Sequence, residues 1–409
     1  MGALQVEVDP GEVGLDAGRL ERIDRHFARY VDDGRLAGWL ALVSRRGKIA
    51  HLATAGHRDV GAGLPIETDT LFRIFSMTKP ITSVAAMMLY EEGAFELTDP
   101  VSRFIGSFAE PRVYLAGPPL APVTAPARFP IRMWQLLTHT SGLTYGFHYV
   151  HPVDAMYRAA GFELGSPPGL DLAGCCDVWA SMPLVFEPGT EWNYSVATDV
   201  LGRVVEVLSG MPLDRFFAER IFGPLQMNDT SFAVDDDDLG RLATLYTPHR
   251  RTGQAFAVPA GATNRPFPFL SGGGGLLSTA GDYHRFTQML LQGGSLEGTR
   301  ILGPRTVAYM TRNHLPGGAD LEEYGRPLFA ETPYDGVGFG LGFSVVEDPA
   351  KQKVPASKGE FAWGGAASTA FWVDPVEEIT AIFMTQLLPS GTHPIRTQFR
   401  QLVAQAIVD

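Results

Sequence analysis

Lysine is scarce in this 409-residue sequence, which has five lysines (positions 48, 79, 351, 353 and 358) beside 28 arginines. The 45 acidic residues outnumber the 33 basic ones, and at a formal net charge of −12 an extended polyanion would meet a repulsive field. We therefore expect no nucleic-acid partner. The scarcity also makes any lysine within a motif conspicuous.

Cysteines are few, and long apolar runs are absent. The two cysteines, Cys175 and Cys176, are adjacent, and neighbours rarely reach disulfide geometry without strain, so we expect ordinary thiols and no disulfide framework. No run approaches the roughly 18 apolar residues of a membrane span. The first residues, MGALQVEVDPGEVG, lack the basic and apolar regions of a secretory signal. These absences predict a soluble cytoplasmic protein without a membrane partner.

The overall composition is that of a globular chain. Apolar residues make up 45% and charged residues 19%, which excludes an intrinsically disordered protein. The 46 glycines and 30 prolines are more than average and favour a loop-rich domain of the kind common among enzymes.

The order of helical and strand-like segments predicts an α+β fold. Residues 15–33 and 76–93 carry apolar side chains at helical spacing, and a strand hairpin is indicated around Arg46-Gly47. Helices interrupted by proline and glycine follow, and after Gly281-Asp282 another helix leads into strand-like segments, among them residues 338–346. Strands near both ends of the chain predict one antiparallel sheet that is built from N- and C-terminal segments and flanked by helices.

This order also predicts the domain organisation. Residues 1–99 and 285–409 are expected to form a discontinuous α/β sandwich domain, and residues 100–284 a mainly helical domain whose loops frame a cleft. The sequence leaves assembly into a homo-oligomer open.

Ser76 and Lys79 form the first candidate for chemistry. On a helix, residues i and i+3 lie on one face about 5–6 Å apart, so the lysine amine can reach the serine hydroxyl. A serine becomes a nucleophile only when a base removes its proton, and a lysine serves as that base only when burial lowers its pKa from about 10.4. Because a short motif also arises by chance, its context must decide.

That context resembles the serine β-lactamase and penicillin-binding protein superfamily, in which S-x-x-K begins a long central helix. The chain looks most like the class C β-lactamase-like family VIII carboxylesterases. The resemblance implies a serine β-lactamase-like fold and covers nearly the whole chain. Five collinear segments carry it: LFRIFSMTKPITSVAAMMLYEEG, LLTHTSGL, EPGTEWNYSVATDVLGRVVE, GGGGLLSTAGDY and FAWGGAASTAFWVDP.

The resemblance implies a third catalytic residue, Tyr194, in a Y-x-N-type motif. A phenol with a pKa near 10 becomes a base only beside a cation, which Lys79 would provide. Val196 replaces the asparagine of the lactamases and so removes an amide donor that would help hold a β-lactam.

At the position where lactamases carry K-T-G, this chain has Trp363-Gly364-Gly365. The missing lysine favours uncharged acyl groups over penicillin-like carboxylates. The resemblance implies that Trp363, Gly364 and Gly365 shape the substrate pocket, and that the Ala366 N–H pairs with that of Ser76 as the oxyanion hole.

Other polar residues receive structural interpretations. His139 suggests a Ser-His-Asp triad, but no serine has glycine at both −2 and +2, so we expect a structural hydrogen bond. His148, His151 and Asp154 have a loose metal-like spacing that is more typical of a loop. The run Asp235–Asp238 is typical of a solvated loop or helix start. We expect neither a metal nor a cofactor.

The sequence therefore predicts a serine hydrolase that cleaves short-chain carboxylic esters through an acyl-enzyme intermediate. The expected partner is a small-molecule ester substrate. The alternatives are a β-lactamase or D-amino-acid peptidase, an acyltransferase on the same scaffold, and a non-catalytic penicillin-binding-like protein. Whether Lys79 or Tyr194 is the base stays open, because coupled groups share the proton.

Overall fold

An eight-stranded antiparallel sheet forms the centre of the fold. The computed structural model describes residues 4–163, 165–258, 268–326 and 334–409. The strands of this sheet are β1 (Gly38–Arg45), β2 (Lys48–Asp59), β3 (Leu64–Pro65), β4 (Val337–Phe339), β5 (Ser344–Val346), β6 (Phe361–Gly364), β7 (Ala370–Asp374) and β8 (Ile379–Thr385). The order across the sheet is β4-β5-β6-β7-β8-β1-β2-β3, so the N-terminal strand β1 pairs with the C-terminal strand β8, as predicted.

Some helices flank this sheet and others pack on one another beside it. They are α1 (Ala17–Asp32), α2 (Thr78–Glu91), α3 (Met133–Leu137), α4 (Pro152–Ala159), α5 (Leu172–Ser181), α6 (Ala197–Ser209), α7 (Leu213–Phe217), α8 (Gly223–Leu225), α9 (Ala280–Leu291), α10 (Pro304–Met310), α11 (Leu321–Tyr324), α12 (Pro349–Gln352) and α13 (Ile395–Ala404). In the parts of the chain that the structure describes, no helix is both long enough and apolar enough to cross a membrane.

Shorter elements complete the secondary structure. Short 3₁₀-helices occur at Pro10–Val13, Phe75–Met77, Val101–Arg103, Gly106–Ala109, Gly146–His148, Asp236–Arg241 and Pro316–Gly318, and a π-turn at Ala218–Phe222. Among the described residues, four strand pairs lie outside the main sheet: Phe72–Arg73 with Leu277–Ser278, Arg112–Ala116 with Val123–Pro126, Tyr246–Pro248 with Ala255–Ala257, and Ser295–Leu296 with Thr299–Arg300.

The two faces of the sheet contribute to separate cores. All eight residues of β1 are buried, and successive side chains point to opposite faces. Leu42 belongs to the core that contains Val84 of α2. Val43 belongs to the other core, with Phe27 of α1 and Phe399 of α13. This layering fixes α2, and the serine before it, against one face of the sheet, and α13 against the other.

The prediction of one continuous strand over residues 338–346 is wrong. The segment forms a hairpin, with β4 and β5 joined by a tight turn in which the Gly340 N–H donates to the Phe343 carbonyl at 2.7 Å. Gly342 has φ 100°, and a Cβ there would lie 2.2 Å from Ser83 Oγ of helix α2. Only glycine combines this backbone with so close an approach.

Two helix boundaries differ slightly from the sequence prediction. The 3₁₀ turn Phe75–Met77 precedes α2, and α9 begins at Ala280 because the Thr279 hydroxyl accepts the Asp282 N–H at 3.2 Å. The predicted domain boundary at residue 285 falls inside α9, which packs on β7 and β8. The division into two domains stays a prediction.

Candidate active site

Ser76 lies in a tight turn directly before α2. The preceding residue, Phe75, has φ 43°, a left-handed conformation that costs a bulky residue about 1–3 kcal/mol. The turn leaves Ser76 half-buried at the wall of a large cavity. Strain at this position, immediately beside a candidate nucleophile, is typical of functional sites.

Lys79 contacts Ser76 from one turn further along the chain. Its Nζ lies 3.2 Å from Ser76 Oγ and donates to the Gly273 carbonyl at 2.6 Å. The Lys79 side chain is almost completely buried, with 2% of its surface exposed. The structure thus brings together the serine and the lysine that the sequence singled out.

Burial lowers the pKa of Lys79 to about 7, while the negative charge of Asp199 opposes that fall. Near neutral pH a large fraction of the amine is therefore uncharged and holds a free electron pair beside the serine hydroxyl. This is the condition under which a lysine can act as a general base.

Asp199 is a buried carboxylate of this site that the sequence analysis missed. It accepts hydrogen bonds from Ser271 Oγ at 2.6 Å and from the Gly273 N–H at 2.9 Å, and burial raises its pKa. Gly273 allows this approach, because a Cβ there would lie 2.5 Å from the carboxylate and 3.0 Å from the Tyr145 hydroxyl. In the sequence, an aspartate in the first turn of α6 resembles an ordinary helix-dipole partner. The signal that could have found it is its setting among the apolar residues of that helix.

Tyr194 lies beside Ser76 at the wall of the cavity. Lys79 Nζ is 4.5 Å from the centre of its ring, and Trp363 Nε1 donates to its hydroxyl at 3.4 Å. Burial raises the pKa of Tyr194 well above its ordinary value, although hydrogen bonds with Ser76 and Trp363 oppose the rise. The phenol is therefore protonated near neutral pH and is available as a proton donor.

Trp363 fills the space at the end of β6. Its ring centre lies 5.4 Å from that of Tyr194 and 5.3 Å from that of Phe339. Glycine occupies the next two positions, where a Cβ would meet a movable side-chain end at Gly364 and fixed backbone at Gly365. A Cβ on Gly364 would lie 2.1 Å from Arg396 Nη2, and one on Gly365 would lie 2.3 Å from the Ile74 carbonyl oxygen.

Ala366 follows in a turn that other backbone groups hold in place. The Ala366 carbonyl accepts the Ser390 N–H at 2.6 Å. Ala366 lines the same cavity as Ser76. The role of its N–H in an oxyanion hole stays a prediction.

The cavity in front of Ser76 has a volume of about 900 Å³. Its described lining is rich in aromatic side chains, among them Phe75, Tyr145, Phe147, Phe162, Trp179 and Phe232. An apolar cleft with a few convergent polar groups is the usual form of a small-molecule site.

The histidines take structural positions around this site. His139 is buried, with Nδ1 3.2 Å from Ser195 Oγ, and burial lowers its pKa. His148 lines the cavity and its Nε2 donates to the Tyr194 carbonyl at 2.7 Å, so it supports the backbone of that tyrosine. His151 and Asp154 cap helix α4.

The remaining polar candidates lie in ordinary surroundings. Asp236–Arg241 forms a 3₁₀ turn in which Arg241 pairs with Asp238 at 3.0 Å. Cys175 and Cys176 are buried, and burial raises the pKa of Cys175 to about 12. Among the described residues, no group of three or more acidic, histidine or cysteine side chains is arranged to hold a metal ion.

Comparison with known proteins places this geometry in a family. A sequence model of the family described as Beta-lactamase matches residues 23–405. The chain belongs to this family. The sequence resemblance to the serine β-lactamase and penicillin-binding protein superfamily is thereby confirmed, together with the predicted fold.

Relatives and solved structures extend over nearly the whole chain. Protein Rv1367c of Mycobacterium tuberculosis is 40% identical over 88% of this chain and 88% of its own length. Esterase EstB of Burkholderia gladioli is 32% identical over 97% of this chain and 98% of its own. The structure of EstCE1, a hydrolase with promiscuous acyltransferase activity, has a TM-score of 0.81 and 27% identity and covers 97% of this chain and 99% of the other. These similarities support the esterase branch of the superfamily.

Proposed function

We propose that this protein is a serine carboxylesterase that hydrolyses short-chain esters through an acyl-enzyme intermediate. The observation that carries the proposal is the contact of Ser76 Oγ with the amine of Lys79, whose pKa is about 7. A nucleophile and a base within hydrogen-bond reach are what acyl transfer requires.

In the first half-reaction Lys79 takes the proton of Ser76 as Ser76 Oγ attacks the ester carbonyl carbon. The carbonyl oxygen becomes an oxyanion, which the N–H groups of Ser76 and Ala366 would stabilise. When the oxyanion collapses, the bond to the alcohol breaks. Tyr194 gives its proton to the leaving alkoxide and is reprotonated by the ammonium of Lys79.

In the second half-reaction water replaces the alcohol and the proton transfers run in the same order. Lys79 takes a proton from water, and the hydroxide attacks the acyl carbon. The bond between the acyl carbon and Ser76 Oγ then breaks, Tyr194 gives its proton to Oγ, and the ammonium of Lys79 reprotonates Tyr194. The raised pKa of Tyr194 supports this division of roles, with Lys79 as the base and the phenol as the donor.

An ester is favoured over a β-lactam because Trp363 occupies the position of the lysine that binds a substrate carboxylate in lactamases. The aromatic lining of the cavity also suits uncharged acyl and alcohol groups. EstB, 32% identical to this chain, bears the name of an esterase.

The test replaces the nucleophile. Ser76→Ala is expected to abolish hydrolysis of p-nitrophenyl butyrate and labelling by a fluorophosphonate, while the exposed Ser181→Ala serves as the control and keeps both. Mass spectrometry of the quenched wild-type reaction should find one butyryl group on Ser76. Full activity of pure Ser76→Ala would contradict the proposal.

Acyl transfer to an alcohol is a second candidate, because EstCE1 combines hydrolysis with acyltransferase activity and the cavity here has room for an acceptor. Adding acceptor alcohols during ester turnover distinguishes the two. A product ester that forms faster than the free acid would establish an acyltransferase. A nitrocefin rate equal to the ester rate would instead indicate a β-lactamase.

A further inference from the structure

Arg396, on the terminal helix α13, binds the turn that follows β6. Its Nη2 donates to the Gly365 carbonyl at 3.0 Å and to the Thr369 carbonyl at 2.9 Å. The turn is also closed by the Gly365 N–H, which donates to Thr369 at 2.9 Å. One guanidinium thus joins both ends of the turn that contains Ala366.

The chain leaves space for this guanidinium. A Cβ on Gly364 would point at Arg396, 2.1 Å from Nη2, whereas a Cβ on Gly365 would point at the Ile74 carbonyl. Successive residues of a strand face opposite sides. The end of β6 therefore lies between Arg396 on one side and the segment that leads to Ser76 on the other.

The bond to Gly365 fixes the direction of the next N–H. In a trans peptide the carbonyl oxygen of one residue and the N–H of the following residue point in opposite directions. Arg396 and the Ser368 N–H, the latter at 3.1 Å, hold the Gly365 oxygen. The Ala366 N–H must then point away from Arg396, towards the side where the Ser76 segment lies.

The positive charge of Arg396 also strengthens the Ala366 N–H as a hydrogen-bond donor. A cation bound to a peptide oxygen draws electron density from the N–H of that peptide and makes it a stronger donor. Hydrogen bonds polarise one another in this way in the low dielectric of a protein interior. Such polarisation matters most when the N–H faces a developing negative charge.

We propose that Arg396 is a positioning residue that orients and polarises the Ala366 N–H of the oxyanion hole. The inference rests on the proposed acyl-enzyme function, because it assigns Arg396 a task in stabilising the tetrahedral intermediate. Arg396 lines the same cavity as Ser76, and its Nη2 binds the backbone carbonyls of Gly365 and Thr369. The cation absent from position 363 would thus be supplied by Arg396 and directed at the backbone.

The test compares Arg396→Ala, Arg396→Lys and Gly364→Ala with wild type, using Gln401→Ala, exposed on the same helix, as the control. Arg396→Ala should lower kcat for p-nitrophenyl butyrate about 10- to 100-fold, less than the loss of a whole oxyanion donor, with little change in KM. Labelling by a fluorophosphonate should slow by a similar factor.

Arg396→Lys should recover part of kcat because it restores a charged donor. Gly364→Ala keeps the charge but displaces the guanidinium, and should lower kcat likewise.

Thermal unfolding of each variant separates positioning from stability. A loss of kcat in variants that melt at the wild-type temperature supports the inference. The inference is overturned if kcat is unchanged, if only KM rises, or if activity per folded molecule equals wild type. Ser76→Ala in the same assay distinguishes failure of this inference from failure of the proposed function. Continued activity of Ser76→Ala would refute the proposed function itself.

Discussion

At the scale of single residues, the surroundings of Lys79 decide whether it can act as the proposed base. Its amine is enclosed by helix α2, the Gly273 carbonyl and two aromatic rings, so the charged form loses hydration that it would have in water. Asp199 returns part of that stabilisation. The balance between burial and this carboxylate sets the pH range in which the enzyme can work.

We expect ester hydrolysis to rise with pH through about 7 and then level off, because only the deprotonated Lys79 can accept the serine proton. Asp199→Asn removes the charge that raises the lysine pKa, so the rising limb should move to lower pH. The pH profile of kcat/KM measures this shift. Asp238→Asn, a surface carboxylate, is the control. A limb that moves to higher pH in Asp199→Asn would contradict the electrostatic account.

The sequence could reveal Ser76 and Lys79 because their contact depends only on helical spacing. It could not reveal Asp199 or Arg396, since each reaches the site through a loop distant in the chain, at Gly273 and at Gly365. Tyr194 and Trp363 could be found only through the family resemblance. The bond between them depends on how two separate elements pack.

At the scale of secondary-structure elements, the hairpin of β4 and β5 shows why periodicity is an incomplete guide. The apolar residues of 338–346 alternate with glycines, a pattern that suits a strand, yet Gly342 turns the chain against Ser83 of helix α2. The turn depends on a contact with a helix more than 250 positions earlier in the sequence, which no local pattern records.

Gly342→Ala is therefore expected to destabilise the protein by about 2–4 kcal/mol, since it adds overpacking to backbone strain. Gly298→Ala is the matched control, because Gly298 also has a positive φ, 84°, but a Cβ there meets nothing within 4 Å. Urea unfolding of both variants measures the difference. Equal losses would mean that the contact with Ser83 contributes nothing.

At the scale of the whole molecule, Arg45 connects distant parts of the chain. Only about 5% of its side chain is exposed, and it donates to the Val13 and Gly14 carbonyls and pairs with Glu377 at 3.0 Å and Asp409 at 2.5 Å. It thus links the N-terminal turn, the loop before β8 and the end of the sequence. The predicted sheet of N- and C-terminal segments is confirmed, but this connection had no signal in the sequence.

Arg45→Ala should lower the free energy of unfolding by about 3 kcal/mol, because two carboxylates and the carbonyls of Val13, Gly14 and Glu377 lose a buried partner. Arg45→Lys should restore only part of the lost free energy of unfolding, since an ammonium lacks the planar fork of N–H donors that a guanidinium has. Arg25→Ala, which breaks an exposed pair with Glu21, should change stability by less than about 0.5 kcal/mol. Chemical denaturation measures all three. An Arg45→Ala effect as small as that of Arg25→Ala would refute the role of Arg45.

The pairing of β1 with β8 also has a consequence for synthesis. As the chain leaves the ribosome, Ser76 and Lys79 emerge early, while β8, Ala366 and Arg396 are still to be translated. One edge of β1 stays without its partner until that time, and contacts of such long range form late and slowly. A nascent chain would therefore carry the proposed nucleophile without the proposed oxyanion donor of Ala366. The ability to cleave esters would arrive only when folding is nearly complete.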